Sequence, residues 1–186
     1  MLDKGEFKTI RRDLERLDKE REAVIHNSRK VIKLSKLAIY ALLRNEESAA
    51  QKNMDLIEKQ VKSIKKGSTD TSIDKTALAE YVEASTLYWF IKKGKLPTRS
   101  DLKVDTESYL CGLCDLTGEL MRMAVGKMIQ GKVDDVQKIK DLLMEIYGEF
   151  LHFNLRNGEL RKKSDAIKWN LTKVEDLLLC TRKGAI

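Results

Sequence analysis

Apolar side chains return every three to four residues along the first part of the chain. Ile10, Leu14, Leu17, Val24, Ile25, Val31, Ile32, Ala38, Ile39, Leu42 and Leu43 follow this rhythm. It is the period of one helix face, and it predicts one long helix from residue 3 to about 44. Asn45 in "RNEES" is placed to close it, with the acids after it opening a second helix over 47–66. "KSIKKGS" stops that helix with basic residues and Gly67. The capping candidates of "STDTSID" begin a third helix, 72–93, which "KKGK" ends. "LPTRSDLKVDTES" holds the single proline and room for a short helical turn at "TRSDL". Further helices are predicted over 106–130, with Gly131 as a stop, then 132–154 and 159–182, the last two separated by "RNGE". No segment alternates as a strand does. The pattern predicts an all-α bundle of six or seven helices in one domain spanning residues 1–186, without repeats or a dividing linker.

Composition sharpens this picture. Charged residues make up 35% and glycine is sparse, as long helices require. The net charge of +7 favours an anionic partner, nucleic acid or a membrane surface. No apolar run reaches the roughly 18 residues of a membrane span, and "MLDKGEFKTI" lacks the apolar core of a secretory signal. Three cysteines without a disulfide spacing point to a reducing, cytoplasmic setting.

Candidate chemistry begins in "CDLTGELMRMAV". Asp115 and Glu119 lie about 40° apart on a helix otherwise made largely of apolar residues. Glu80 and Glu83 in "ALAEYVEAS" form a second pair on one face of the third helix. Two antiparallel helices carrying such pairs would gather four carboxylates, the oxygen-rich set that Mg²⁺ or Mn²⁺ prefers. The plainer reading of helix acids is solvation or pairing with a nearby base, and Arg122 is within reach of Glu119. A diiron bundle is disfavoured, because neither His26 nor His152 follows a glutamate by three residues. "CGLC" has neither the preceding strand of a redox motif nor the further ligands of a zinc site, so Cys111 and Cys114 read as structural thiols.

A basic face accompanies the acids. Arg29, Lys33, Lys36, Tyr40 and Arg44 fall within about 80° around the first helix, opposite Val24, Val31, Ala38 and Leu42. Arg161, Lys162, Lys163 and Lys168 open the last helix. A solvated face explains either group, and so do sequence-independent contacts to phosphates. Tyr88, Trp89 and Phe90 sweep about 200° of helix surface, so at least one must face a partner chain or solvent.

"YLCGLCDLTGELMRMAVGKMIQGK" resembles the translin–Trax family pattern, in which Tyr-Leu-x-Gly-x-x-Asp-Leu-Thr-Gly-Glu-Leu-Met-Arg opens a late helix. "EYVEASTLYWFIK", "SRKVIKLSKLAIYALLR" and "LRKKSDAIKWNLTKVED" resemble further stretches of the same family. The resemblance implies a translin-type bundle of about seven helices, assembling into a hollow octameric shell. In that family Trax subunits supply Mg²⁺-dependent endoribonuclease activity, and translin subunits supply RNA binding and scaffold. The acidic residues of Trax fall here on Glu80, Glu83, Asp115 and Glu119, so the chain is more similar to Trax than to translin. The short connection at 94–105 and the early C-terminal end suggest a compact archaeal type built from one kind of subunit.

The expected activity is therefore Mg²⁺- or Mn²⁺-dependent endoribonuclease cleavage of single-stranded RNA, or of single-stranded parts of duplexes. Glu80, Glu83, Asp115 and Glu119 are the expected metal ligands, and Arg29, Lys33, Lys36, Arg44, Arg161, Lys162 and Lys163 the expected RNA contacts. A homo-octamer in the cytoplasm, with no membrane partner, completes this expectation. The competing reading is a non-catalytic, translin-like scaffold that binds RNA or single-stranded DNA. A helical protein–protein adaptor is a third.

Overall fold

The computed structural model describes residues 2–64 and 71–182. Among the described residues there are seven helices: α1 Lys4–Leu43, α2 Glu47–Ile64, α3 Ile73–Lys93, α4 Arg99–Leu102, α5 Thr106–Ile129, α6 Val133–Phe150 and α7 Glu159–Arg182. The Gly67 stop lies outside the described residues.

Local chemistry accounts for most of the boundaries. Asp3 caps α1 by accepting from the Gly5 and Glu6 amides at 2.7 and 3.3 Å. Asn45 and Gly131 take left-handed φ angles of 60° and 72° and turn the chain after α1 and α5. Thr98 and Asp101 form a reciprocal capping box that fixes the single turn of α4. The predicted helix over 132–154 ends earlier, at Phe150. Residues 151–158 turn the chain back, so that α7 can lie beside α5.

Matched contacts give the helix directions. Lys75 meets Glu107, Gly112 faces Val82, and Phe90 shares a cavity with Arg122 and Met123, so α3 and α5 run the same way. The antiparallel arrangement expected from sequence is corrected here. The connection through α4 is a crossover, with Leu96 packed against the core and Leu102 and Val104 buried in it. α7 runs with α5 as well, since Asp115 meets Lys163 and Thr117 meets Asn170. One core cluster joins the helices, with Ile57, Leu87, Leu116, Leu120, Ile139 and Ile167 fully enclosed.

The first half of α1 departs from its apolar pattern. Burial begins only at Val24, while Ile10, Leu14 and Leu17 stay at the surface. Their spacing is helical, but nothing in the described chain packs over them. Among the described residues no helix is long and apolar enough to cross a membrane.

Candidate functional site

Close approach of α3 and α5 creates the site. Gly112 lets the two backbones meet: a Cβ there would stand 2.6 Å from the Ala79 carbonyl oxygen and 2.5 Å from Val82 Cβ. Glycine in a helix interior is otherwise unfavourable. With the helices this close, Glu80 and Glu83 on α3 face Asp115 and Glu119 on α5.

Glu83 lies at the centre. It is only 8% exposed, and none of the described hydrogen bonds or ion pairs reaches its carboxyl group. Burial pushes its pKa up to about 8, and the negative charges of Asp115, Glu80 and Glu119 add to the shift. Burial also raises Glu80, against the opposing pull of Lys36, whose ammonium stands 3.5 Å away. Lys163 donates to both oxygens of Asp115, at 2.7 and 2.5 Å. Burial works most strongly against the charge on Lys163, but the hydrogen bond to Asp115, the charge of Asp115 and the further negative groups nearby together outweigh it and leave its pKa raised. Glu119 accepts from Arg122 Nη1 through both oxygens, at 2.9 and 2.8 Å, the pairing that the sequence spacing anticipated.

Three acids of the four are thus neutralised by bases from α1, α5 and α7, and the most buried one is not. Among the described residues no three His, Cys, Asp or Glu side chains already converge as a metal cage. The donor set still fits a hard divalent cation. All four groups are carboxylates, and Glu83, largely buried and outside the described hydrogen bonds and ion pairs, has oxygens that a cation would satisfy. A cleft of about 200 Å³ reaches the cluster, lined by Glu80, Cys111, Asp115, Glu159 and Lys163 among others. Burial raises the Cys111 thiol and drives Cys114 up to about 12, so neither is a thiolate at neutral pH. A larger cavity of about 450 Å³ lies further along α5, bordered by Arg122, Phe90 and Ile139. It lacks the four acids, and the carboxylate cleft is where the chemistry is concentrated.

The basic groups divide into free and paired members. Arg29, Lys33, Lys36 and Tyr40 line an exposed groove on α1 with Ile32 and Leu37. Arg44 continues the stripe, but Glu46 holds it at 2.7 Å and the Tyr40 hydroxyl at 3.1 Å. On α7, Lys162 is exposed and Arg161 pairs with Asp165 at 3.3 Å, while Lys163 turns inward to the acids. Tyr88, Trp89 and Phe90 are each half-buried, with Lys93 lying over the Trp89 ring at 3.8 Å. Sequence reading missed the part of Lys36 and Lys163 in the acid cluster, and also the contact role of Gly112. Only a glycine inside a helical pattern gave any sign of the latter.

Comparison with known proteins agrees with this architecture. A family model described as "Translin family" matches residues 19–181. A translin-associated protein X homolog of Schizosaccharomyces pombe is 28% identical over 92% of this chain and 85% of its own length. Translin-associated protein X of Mus musculus is 24% identical over 91% of this chain and 75% of its own length. Translin of Gallus gallus is 33% identical, but over only 40% of this chain and 33% of its own length. The crystal structure of apo-NeC3PO superposes with a TM-score of 0.87 at 29% identity, covering 96% of this chain and 97% of the other. AfC3PO in complex with duplex RNA also gives 0.87, at 21% identity over 96% and 97%, a likeness of fold alone.

Proposed function

The chain belongs to the translin family, and on that footing we propose that it is a Mg²⁺- or Mn²⁺-dependent endoribonuclease acting on single-stranded RNA or unpaired parts of duplexes. The observation that carries this reading is Glu83, a residue only 8% exposed whose carboxyl group takes part in none of the described hydrogen bonds or ion pairs and lies among three further acids.

Glu80, Glu83, Asp115 and Glu119 would hold the ion. When bound, it would supply Lewis acidity to a phosphodiester and lower the pKa of a water. Glu83 would hold the ion as its carboxylate, so binding would be favoured by rising pH. The apolar flanks of α3 and α5 keep the cluster partly dehydrated, which strengthens every charge interaction within it. Arg29, Lys33, Lys36 and Arg44 on α1, with Arg161 and Lys162 on α7, would hold the RNA backbone without reading its sequence.

Assembly into a homo-octameric shell enclosing the acids belongs to the same proposal. Likeness to apo-NeC3PO supports it. The cysteines Cys111, Cys114 and Cys180 are all free thiols, which suits the reducing cytoplasm. The test is cleavage of end-labelled single-stranded RNA with Mg²⁺, with Mn²⁺ and with EDTA, for the wild type and Glu83→Gln. Cleavage that needs the ion and is lost in the variant supports the reading, and full activity in EDTA sinks it.

One observation favours a second reading, a scaffold that binds RNA without cutting it. Ion pairs from Lys36, Arg122 and Lys163 already neutralise three of the acids. Salt-sensitive RNA binding with no cleavage in any metal would select this alternative.

A further inference from the structure

Of the bases that neutralise the acid cluster, Lys36 also belongs to the exposed basic groove of α1, and Lys163 lies next in sequence to the exposed bases that open α7. Lys36 shares its groove on α1 with Arg29 and Lys33, and it reaches Glu80 at 3.5 Å. Lys163 directly follows Arg161 and Lys162 on α7, and it holds Asp115 at 2.5 Å. An ammonium is a three-donor point charge that suits a phosphate oxygen as well as a carboxylate. We propose that Lys36 and Lys163 are exchangeable counterions, passed from Glu80 and Asp115 to RNA phosphates, so that RNA and the divalent ion load together.

In the free protein the two ammoniums neutralise the carboxylates that would take the ion, and a divalent cation arriving there meets two like charges. With the ammoniums moved onto phosphates, Glu80 and Asp115 lose their partners while Glu83 and Glu119 stand nearby. Glu80 and Asp115 in that state repel one another unless a cation joins them. Each ligand therefore favours the state that the other binds, and the coupling must be reciprocal. Contact geometry divides the roles. Lys36 is 66% exposed, and its pair is long and easily broken. Lys163 is 27% exposed and bonded to both oxygens, so it governs access to Asp115. Arg122 lies in neither basic stretch and stays with Glu119.

This inference rests on the metal-site reading above, and its test separates the two. Mn²⁺ affinity of the whole protein is measured by electron paramagnetic resonance, for the wild type, Lys163→Met and Lys36→Ala. In parallel, affinity for a fluorescent oligothymidylate is measured by anisotropy with and without Mn²⁺ at constant ionic strength, the oligomer being checked for integrity on a gel. Without oligomer, Lys163→Met should bind Mn²⁺ roughly tenfold tighter than wild type, the scale of one charge-assisted contact. Mn²⁺ should tighten oligomer binding several-fold in the wild type and much less in Lys163→Met. Lys36→Ala, whose side chain is at the surface and not needed for folding, should change both readings in the same direction by less. A wild type that binds no Mn²⁺ overturns the metal reading itself. A wild type that binds Mn²⁺, with variants no tighter and coupling unchanged, overturns the counterion exchange alone.

Discussion

Lys163 on α7 donates to both carboxylate oxygens of Asp115 on α5, at 2.7 and 2.5 Å, so the last helix of the chain holds an acid from the middle of it. Both side chains are about a quarter exposed, at 27% and 28%. The bond therefore does more than a surface pair, and removing one partner leaves the other poorly solvated. Asp115→Ala should cost on the order of 1–3 kcal/mol in chemical denaturation. Asp115→Asn keeps an acceptor for the ammonium and should cost less. Both should lose metal-dependent cleavage, which separates the acid's chemical role from its structural one.

Glu83 should make the apo protein less stable as pH rises through neutrality. Its ordinary value is 4.5 and its folded value about 8. Below about pH 4.5 the carboxyl group is protonated whether the chain is folded or not. Between that point and about pH 8 the unfolded chain releases the proton while the folded chain keeps it, so stability falls as pH rises. Above about pH 8 the loss is complete, on the order of a few kcal/mol. Glu83→Gln cannot ionise and should lack this decline. Urea melts of both proteins at pH 5, 7 and 9 should therefore diverge upward in favour of the variant. Added Mn²⁺ should narrow the gap by stabilising the ionised wild type. Parallel pH profiles for the two proteins would exclude the raised value.

Arg29→Ala with Lys33→Ala tests the groove on α1 without disturbing the acids, since neither residue pairs with them. RNA affinity should fall about equally across unrelated sequences. The slope of log affinity against log salt should drop by roughly one for each phosphate that these side chains no longer neutralise. Filter binding over a salt series reads both quantities, and a weakening confined to one sequence would place the RNA elsewhere.

Much of this molecule can be read from periodicity, because most of its helices bury one face and α1, α4 and α5 carry clear caps. Asp105, Thr98 and Asn45 mark boundaries by local chemistry that operates whatever the fold. The four acids stood out because carboxylates on apolar helix faces are unusual. Helix direction was not legible. The crossover through α4 depends on Leu102 and Val104 finding the core, a tertiary event that no local pattern encodes. The exposed stripe of Ile10, Leu14 and Leu17 misled for a related reason, since periodicity states which side is apolar and not whether anything covers it. Lys163 sits in a run of bases, and only the packing of α7 on α5 tells it apart from its neighbours.

Gly112 and Gly126 lie in the same helix and should respond to the same substitution with opposite signs. Alanine is favoured over glycine inside a helix by about 1 kcal/mol, because it loses less backbone freedom on folding. At Gly126 nothing lies within 4 Å of an added Cβ, so Gly126→Ala should gain much of that amount. At Gly112 the new methyl group would stand 2.5 Å from Val82 Cβ and 2.6 Å from the Ala79 carbonyl oxygen. That oxygen belongs to the α3 backbone and cannot rotate away, so α3 and α5 must move apart. Overpacking of this kind typically costs about 1–3 kcal/mol, which outweighs the helix preference. Val82 precedes Glu83 and Ala79 precedes Glu80, so the displacement passes directly to the acids. Gly112→Ala should therefore lower the thermal midpoint and weaken Mn²⁺ binding together, while Gly126→Ala raises the midpoint and leaves Mn²⁺ binding unchanged. Calorimetry with and without Mn²⁺ distinguishes the two. If Gly112→Ala were as stable as Gly126→Ala, the close approach of α3 and α5 would not be what places the carboxylates.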